Sequence, residues 1–188
     1  MKNFKPLLAA LVGATCLALP QSASAEAFEG EYLGVGAGVS IVKTTGDAAG
    51  TPISDSLTKP MAMLIAGYRA PLGSESPLVL GIEGDFGATI DEFDSRIGIS
   101  GIVGVRAGEN TLVYARAGYA SRSGISTGTA DRSVDGLMAG AGVEFAALEW
   151  ANLRLDYRYA DLGSSTDILS TTRSFKGHEA NVALIFDF

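Results

Sequence analysis

Charged side chains carry the clearest chemical pattern in this sequence, because they recur at every second position. Residues 83–85 read Glu-x-Asp, and residues 154–158 read Arg-x-Asp-x-Arg. A period of two places such side chains on one face of a β-strand. The candidate site residues that share this face in the predicted strands are Glu83, Asp85, Arg106, Arg116, Glu144, Arg154, Asp156 and Arg158.

Two interpretations fit charges on the inner face of a closed sheet. They could form a gate whose ion pairs exchange, or a static network that fills the interior. Both require pairing, because an unpaired buried charge is costly. A barrel of eight strands leaves interior space only for side chains, so the static network is favoured. The candidate partners of Arg116 are Glu83, Glu144 and Asp156. Arg116 lies in the predicted strand 111–122 and Glu144 in the next one, 134–147, and the hairpin connection between these strands favours Glu144.

Residues for catalysis or metal binding do not assemble into a motif. Glu83 and Asp85 could hold a cation, but carboxylates beside arginines more often form salt bridges. Small barrel lipases use His-x-Ser on a strand, whereas Ala180 stands two positions after His178, the only histidine. His178 is therefore interpreted as an interfacial residue at a strand end. We predict no enzymatic activity, no catalytic residue, no metal site and no cofactor.

The first 25 residues have the pattern of a cleaved signal peptide. Lys2 and Lys5 precede an apolar run over residues 6–20, and Ala23-Ser-Ala25 forms a small-residue cleavage site. The run is too short for a transmembrane helix. The predicted organisation is a signal peptide over 1–25 and one barrel domain over 26–188.

The predicted mature chain is acidic and contains no cysteine. It has 12 basic and 21 acidic residues, a net charge of −9, and the lone Cys16 lies in the signal segment. No disulfide is therefore expected. An acidic exported chain is also a poor nucleic-acid binder.

Apolar residues alternate with small or polar residues along most of the mature chain, which predicts strands. The predicted strands are 30–42, 59–70, 78–90, 96–107, 111–122, 134–147, 152–162 and 178–188. Long polar loops are predicted at 43–58, 123–133 and 163–176, and the other connections are short. Glycines 34, 36 and 38 resemble a nucleotide-binding loop, but no helix pattern follows them, so that motif lacks its context.

Two kinds of barrel fit this alternation. A soluble, lipocalin-like barrel has its apolar face inside, whereas a transmembrane barrel has its apolar face outside. The signal peptide, the aromatic residues near strand ends and the terminal Phe188 favour the second kind. The predicted fold is an all-β, eight-stranded antiparallel up-and-down transmembrane β-barrel with short periplasmic turns and longer outer loops.

The chain resembles the small eight-stranded outer-membrane barrels, the group of the OmpA transmembrane domain, OmpX and opacity-type proteins. It is most similar to the porin-family surface antigens of alphaproteobacteria. The segments that carry the resemblance are 81–86 (GIEGDF), 114–119 (YARAGY), 140–145 (GAGVEF), 154–163 (RLDYRYADLG) and the terminal Phe188. The resemblance implies a Gram-negative outer-membrane location among lipid and lipopolysaccharide. It also implies that the barrel assembly machinery reads Phe188.

The expected function is an integral outer-membrane protein with a structural role in the envelope. Its outer loops would contact host or environmental ligands, as in adhesion. Nothing follows the barrel in this sequence, so no peptidoglycan-binding role is expected. One alternative is a small porin-like channel, favoured by interior glycines 34, 36 and 38. The other is a lipid-modifying barrel enzyme, disfavoured by the missing His-x-Ser.

Overall fold

The computed structural model describes residues 28–48, 51–73, 76–89, 94–126, 131–166 and 172–188. Most of these residues belong to eight strands. The strands are β1 Gly30–Ala48, β2 Thr51–Pro71, β3 Leu78–Thr89, β4 Ser95–Arg106, β5 Thr111–Ser126, β6 Asp131–Phe145, β7 Asn152–Thr166 and β8 Thr172–Asp187.

The strands form a closed antiparallel barrel in which each strand pairs with its neighbours in sequence. β1 closes the barrel by pairing with both β2 and β8, so that Val35 lies opposite Leu64 on one side and Leu184 on the other. A closed sheet has no edge, and its backbone groups bond to one another throughout. The predicted fold class is confirmed. Among the residues described, no helix is long and apolar enough to cross a membrane.

On most strands the two faces differ in polarity, and the apolar face lies outside. On β4 the exposed fraction is 62% for Ile97 and 56% for Ile99, whereas Arg96 and Ser100 are buried. A soluble barrel has the opposite arrangement, because its apolar side chains fill the interior. An outer surface of this kind is suited to lipid, as in outer-membrane barrels.

Three connections that were predicted as polar loops are largely strand. β1 and β2 stay paired as far as Ala48 and Thr51, so the predicted loop over 43–58 is wrong in the described part. The predicted loops over 123–133 and 163–176 are wrong in the same way, because the described parts of both belong to the paired ends of β5–β6 and β7–β8. Beyond the membrane both faces of a hairpin contact water, so hydrophobic alternation no longer marks the strands. We call the end of the barrel that carries the hairpins β1–β2, β5–β6 and β7–β8 the hairpin rim. The opposite end, which carries the connections β2–β3, β4–β5 and β6–β7, is the short-turn rim.

Candidate functional site: the charged interior of the barrel

A continuous row of charged side chains, which we call the charge ladder, runs through the interior. Its members alternate between carboxylate and guanidinium, and each lies within ion-pair distance of the next. From the short-turn rim toward the hairpin rim the ladder is Asp187, Arg69, Glu144, Arg154, Glu83, Arg116, Asp156, Arg158, Asp85, Arg96 and Glu179. This order gives each internal member an opposite charge on both sides, which offsets the cost of removing it from water.

Glu83 on β3 is the central carboxylate of the ladder. Arg154 Nη1 donates to its Oε2 at 2.5 Å, and Arg116 Nη2 donates to its Oε1. Arg158 Nη2 lies 3.6 Å from Oε1, and the Tyr32 hydroxyl donates to Oε2 at 2.7 Å. Side chains from β1, β5 and β7 thus converge on one acid of β3.

Glu144 on β6 organises the part of the ladder nearest the short-turn rim. Arg69 Nη1 donates to its Oε1 at 2.9 Å, and Arg154 Nε donates to its Oε2 at 2.8 Å. The Asn152 amide donates to Glu144 at 3.0 Å and to Asp187 at 2.7 Å. One neutral amide therefore links two carboxylates that would otherwise repel each other.

The part of the ladder nearest the hairpin rim depends on two arginines. Arg158 Nε donates to Asp156 at 2.6 Å, and its Nη1 lies 2.8 Å from Asp85 Oδ1. Arg96 pairs with Asp85 and lies 3.1 Å from Glu179. The ladder thus extends from β8 at one end to β8 at the other.

Two tyrosine rings support the ladder from the side, each beside a glycine. The Arg69 guanidinium lies 4.3 Å from the centre of the Tyr32 ring, which covers Gly67 on β2. Tyr114 donates to Asp156 at 2.5 Å and covers Gly142, where an added Cβ would lie 2.5 Å from the ring carbon Cζ. Glycine at these two positions gives the rings the space they occupy, as in the pairing of aromatic residues with strand glycines.

Apolar side chains cover both ends of the ladder. At the short-turn rim the fully buried Phe28 packs in one cluster with Val79, Ile102, Leu112 and Tyr114. Phe28 has a φ of 73°, a backbone conformation that a bulky residue adopts only where its surroundings enforce it. At the hairpin rim the covering cluster is Ala120, Val134, Met138, Ala160, Leu162 and Phe175. Among the described residues, buried apolar clusters therefore lie toward both ends of the charged interior.

The predicted site residues do not all meet in the ladder. Arg106 pairs instead with Glu29 at the short-turn rim, where 27% of its side chain is exposed. The seven others are members of the ladder: Glu83, Asp85, Arg116, Glu144, Arg154, Asp156 and Arg158.

The predicted pair between Arg116 and Glu144 does not form. Arg116 contacts Glu83 and Asp156 instead. Its register partner on β6 is Gly140, four residues before Glu144, so the hairpin connection does not bring the two side chains level.

Several side chains that form ion pairs in the interior were absent from the predicted site. Arg69, Arg96, Glu179 and Asp187 share the inward parity of their strands, and that parity was the available signal. On β2 the signal was weak, because Met61, Met63 and Ile65 make the inner face as apolar as the outer one. Asp94 gave no signal. It precedes β4 and accepts a hydrogen bond from Arg122 Nε at 2.9 Å, which forms an ion pair separate from the ladder. The same arginine donates from Nη1 to the Ser40 hydroxyl at 2.9 Å.

His178 lies on the outer face of β8, away from the ladder. Its Nδ1 is 2.8 Å from the Tyr157 hydroxyl, and its ring meets Tyr159 edge-on at 5.2 Å. This position fits the interfacial role inferred from the sequence. The possible cation ligands Glu83 and Asp85 both contact arginines.

Comparisons with known proteins agree with this architecture. A model of the outer membrane protein β-barrel domain matches residues 8–188. No curated protein matches the sequence. Among solved structures, Neisserial surface protein A is 16% identical, with 87% of this chain and 100% of that chain covered at a TM-score of 0.50. OprG of Pseudomonas aeruginosa is 11% identical, with 86% and 98% covered at a TM-score of 0.51.

A protease of the same general architecture also aligns. The outer membrane protease OmpT of Escherichia coli is 8% identical, with 89% of this chain and 100% of that chain covered at a TM-score of 0.45. A score this low supports no inference about activity. At these identities the solved structures bear on the fold alone.

Proposed function

Because this chain belongs to the outer membrane protein β-barrel family, we propose that it is a structural protein of the Gram-negative outer membrane. The apolar outer face sits in lipid, the hairpin rim faces the outside and the short-turn rim faces the periplasm. The paired ends of β1–β2, β5–β6 and β7–β8 present surfaces for contact with host or environmental ligands. Such segments carry partner specificity in many proteins because they vary without disturbing the scaffold.

The buried, charge-paired interior is the observation that supports a structural role over a channel. The glycines at 34, 36 and 38 were the argument for a pore, yet the space beside them is filled. An added Cβ at Gly36 would lie 2.8 Å from Ala183 Cβ, and one at Gly38 would lie 2.9 Å from Asn181 Cα. Small residues on β1 thus make room for residues of β8, so these glycines do not mark open space.

We expect no stepwise conductance from the purified barrel in planar lipid bilayers. Passage of ions would require a break in the charge ladder and displacement of both apolar clusters, including Phe28. A general porin inserted under the same conditions provides the positive control. Discrete, long-lived openings of the unaltered protein would favour the porin-like channel instead.

A catalytic role is not part of this proposal. His178, the only histidine, bonds to a tyrosine hydroxyl on the outer face of the barrel. An outward histidine at the edge of the apolar band is suited to the membrane interface, where aromatic side chains are enriched.

We also propose that the assembly machinery reads the C-terminal Phe188. Its amide donates to the Glu31 carbonyl at 2.9 Å, and its ring is partly exposed at the short-turn rim. Removal of Phe188 should therefore lower the stability of the refolded barrel only modestly. In cells we expect removal of Phe188 to lower surface display of the protein much more strongly. Display is measured by antibody binding to intact cells, with an epitope inserted at 127–130.

An epitope in the short turn Gly108-Glu109-Asn110 is the matched control, since it should be detected only after the cells are permeabilised. Detection of both epitopes on intact cells would contradict the proposed orientation. Unchanged display of the chain without Phe188 would contradict the proposed assembly signal.

A further inference from the structure

Cations are distributed unevenly between the two faces of the barrel. Every arginine whose side chain the structure describes is buried or partly buried on the inner side. Among the residues whose side chains the structure describes, the exposed cations are Lys43 on β1 and Lys176 on β8. The exposed acids with described side chains are more widely spread: Glu31, Asp55, Glu109, Asp135, Glu149 and Asp161.

The register places these two lysines directly opposite each other. Lys43 and Lys176 are cross-strand partners where β1 meets β8. Like charges in this arrangement are unfavourable, because the Cβ atoms of opposed residues lie only about 4.5–5.5 Å apart. Neither lysine forms an ion pair with any residue in the described ranges.

One acid stands beside this pair without neutralising it. Asp161 on β7 is the register partner of Lys176. Its carboxylate accepts a hydrogen bond from the Gly163 amide at 3.2 Å and forms no ion pair with the lysine. The lysine pair therefore retains a net positive charge.

The lysine pair lies just beyond the apolar band of the barrel. One step toward the membrane, the same face of the same strands carries Ile41 and His178, which are also register partners. His178 contacts Tyr157 and Tyr159, which form an aromatic edge to the apolar band. Two ammonium groups directly above such an edge are at the depth of lipid headgroups.

We propose that Lys43 and Lys176 together bind the phosphate of a glycolipid in the leaflet at the hairpin rim. Ammonium groups on two directly opposed residues can both donate to one phosphate, whose negative charge offsets their mutual repulsion. The acyl chains of the same lipid lie along the apolar outer face below. This inference rests on the proposed orientation of the barrel, since it assigns the hairpin rim to the outer leaflet.

Native mass spectrometry of the purified barrel, titrated in detergent with diphosphoryl lipid A, measures the binding directly. We expect the Lys43→Gln/Lys176→Gln double variant to bind roughly thirtyfold more weakly, since each lysine near an anionic lipid contributes about fivefold. Asp161→Asn should tighten binding, because it removes the negative charge beside Lys176. Added salt should weaken binding to the unaltered protein.

Matched variants separate a specific site from a general charge effect. Lys59→Gln removes the same charge from a position that shares the inward parity of Met61 on β2, and it should leave the affinity unchanged. Lys176→Arg keeps the charge and should keep the affinity. A heat-dependent gel shift establishes that each variant is folded.

Three results would overturn the proposal. The first is that the double variant binds diphosphoryl lipid A as tightly as the unaltered protein does. The second is that the unaltered protein binds lipid A without its phosphates equally tightly, and the third is that it binds inorganic phosphate as tightly as lipid A. Because the titration is done in detergent, its outcome does not depend on which rim faces outside. The epitope experiment tests that orientation separately.

Discussion

Replacement of Glu83 by alanine is expected to lower the free energy of unfolding of the barrel by about 3–5 kcal/mol. Glu83 bridges Arg116 and Arg154 and accepts the Tyr32 hydrogen bond, and all of these side chains are buried. Its removal leaves two guanidinium groups without their central counter-charge. Denaturant unfolding of the barrel in lipid vesicles, followed by tryptophan fluorescence, measures the change.

Glu109→Ala is the matched control, because this glutamate is exposed in the turn between β4 and β5. We expect it to change stability by less than about 0.5 kcal/mol. A double-mutant cycle then tests the pairing itself. Arg116 and Glu83 should couple by more than about 0.5 kcal/mol, and Arg116 should couple less to Glu144. A Glu83→Ala variant as stable as the control would show that the interior is well hydrated and that the ladder contributes little.

Replacement of Ile99 by arginine should destabilise the barrel by roughly 2–4 kcal/mol, the cost of a cation on the lipid face near the bilayer midplane. Ile99 lies near the middle of β4, and 56% of its surface is exposed on the outer face. The same unfolding measurement in vesicles applies. The destabilisation should be much smaller if the outer face of this barrel were in contact with water, because a cation is well solvated there.

Ser123→Arg is the matched control for depth. Ser123 is exposed on the outer side of β5, opposite Ser95 and beyond the apolar band. An arginine there should cost about 0–1 kcal/mol. Equal tolerance of arginine at the two positions would contradict the assignment of the outer face to lipid.

The orientation of most side chains could be predicted from the sequence because parity is local. Once β3 is recognised as a strand, the alternation of Glu83 and Asp85 with Ile82 and Phe86 assigns each to a face. Closure of the barrel changes none of these assignments. Strand ends were less predictable, since the paired segments beyond Val42 on β1 have water on both faces and show no alternation.

Ion-pair partners could not be predicted, because they depend on the stagger of all eight strands around the closed barrel. The hairpin between β5 and β6 suggested Glu144 for Arg116, but their register leaves the two residues four positions apart. Arg116 reaches across the interior to Glu83 on β3 and to Asp156 on β7 instead.

The sequence by itself determined which side chains of most strands share a face, including the eight charged residues predicted for the interior. Only the tertiary structure decided that charges of the interior form one alternating ladder, that Phe28 covers one end of it, and that Lys43 meets Lys176 outside. The physical reason is that the first property is local in the chain, whereas the second depends on residues far apart in the sequence. Side-chain parity follows from the geometry of a single strand, whereas the distance between two side chains on different strands is fixed only when the sheet closes.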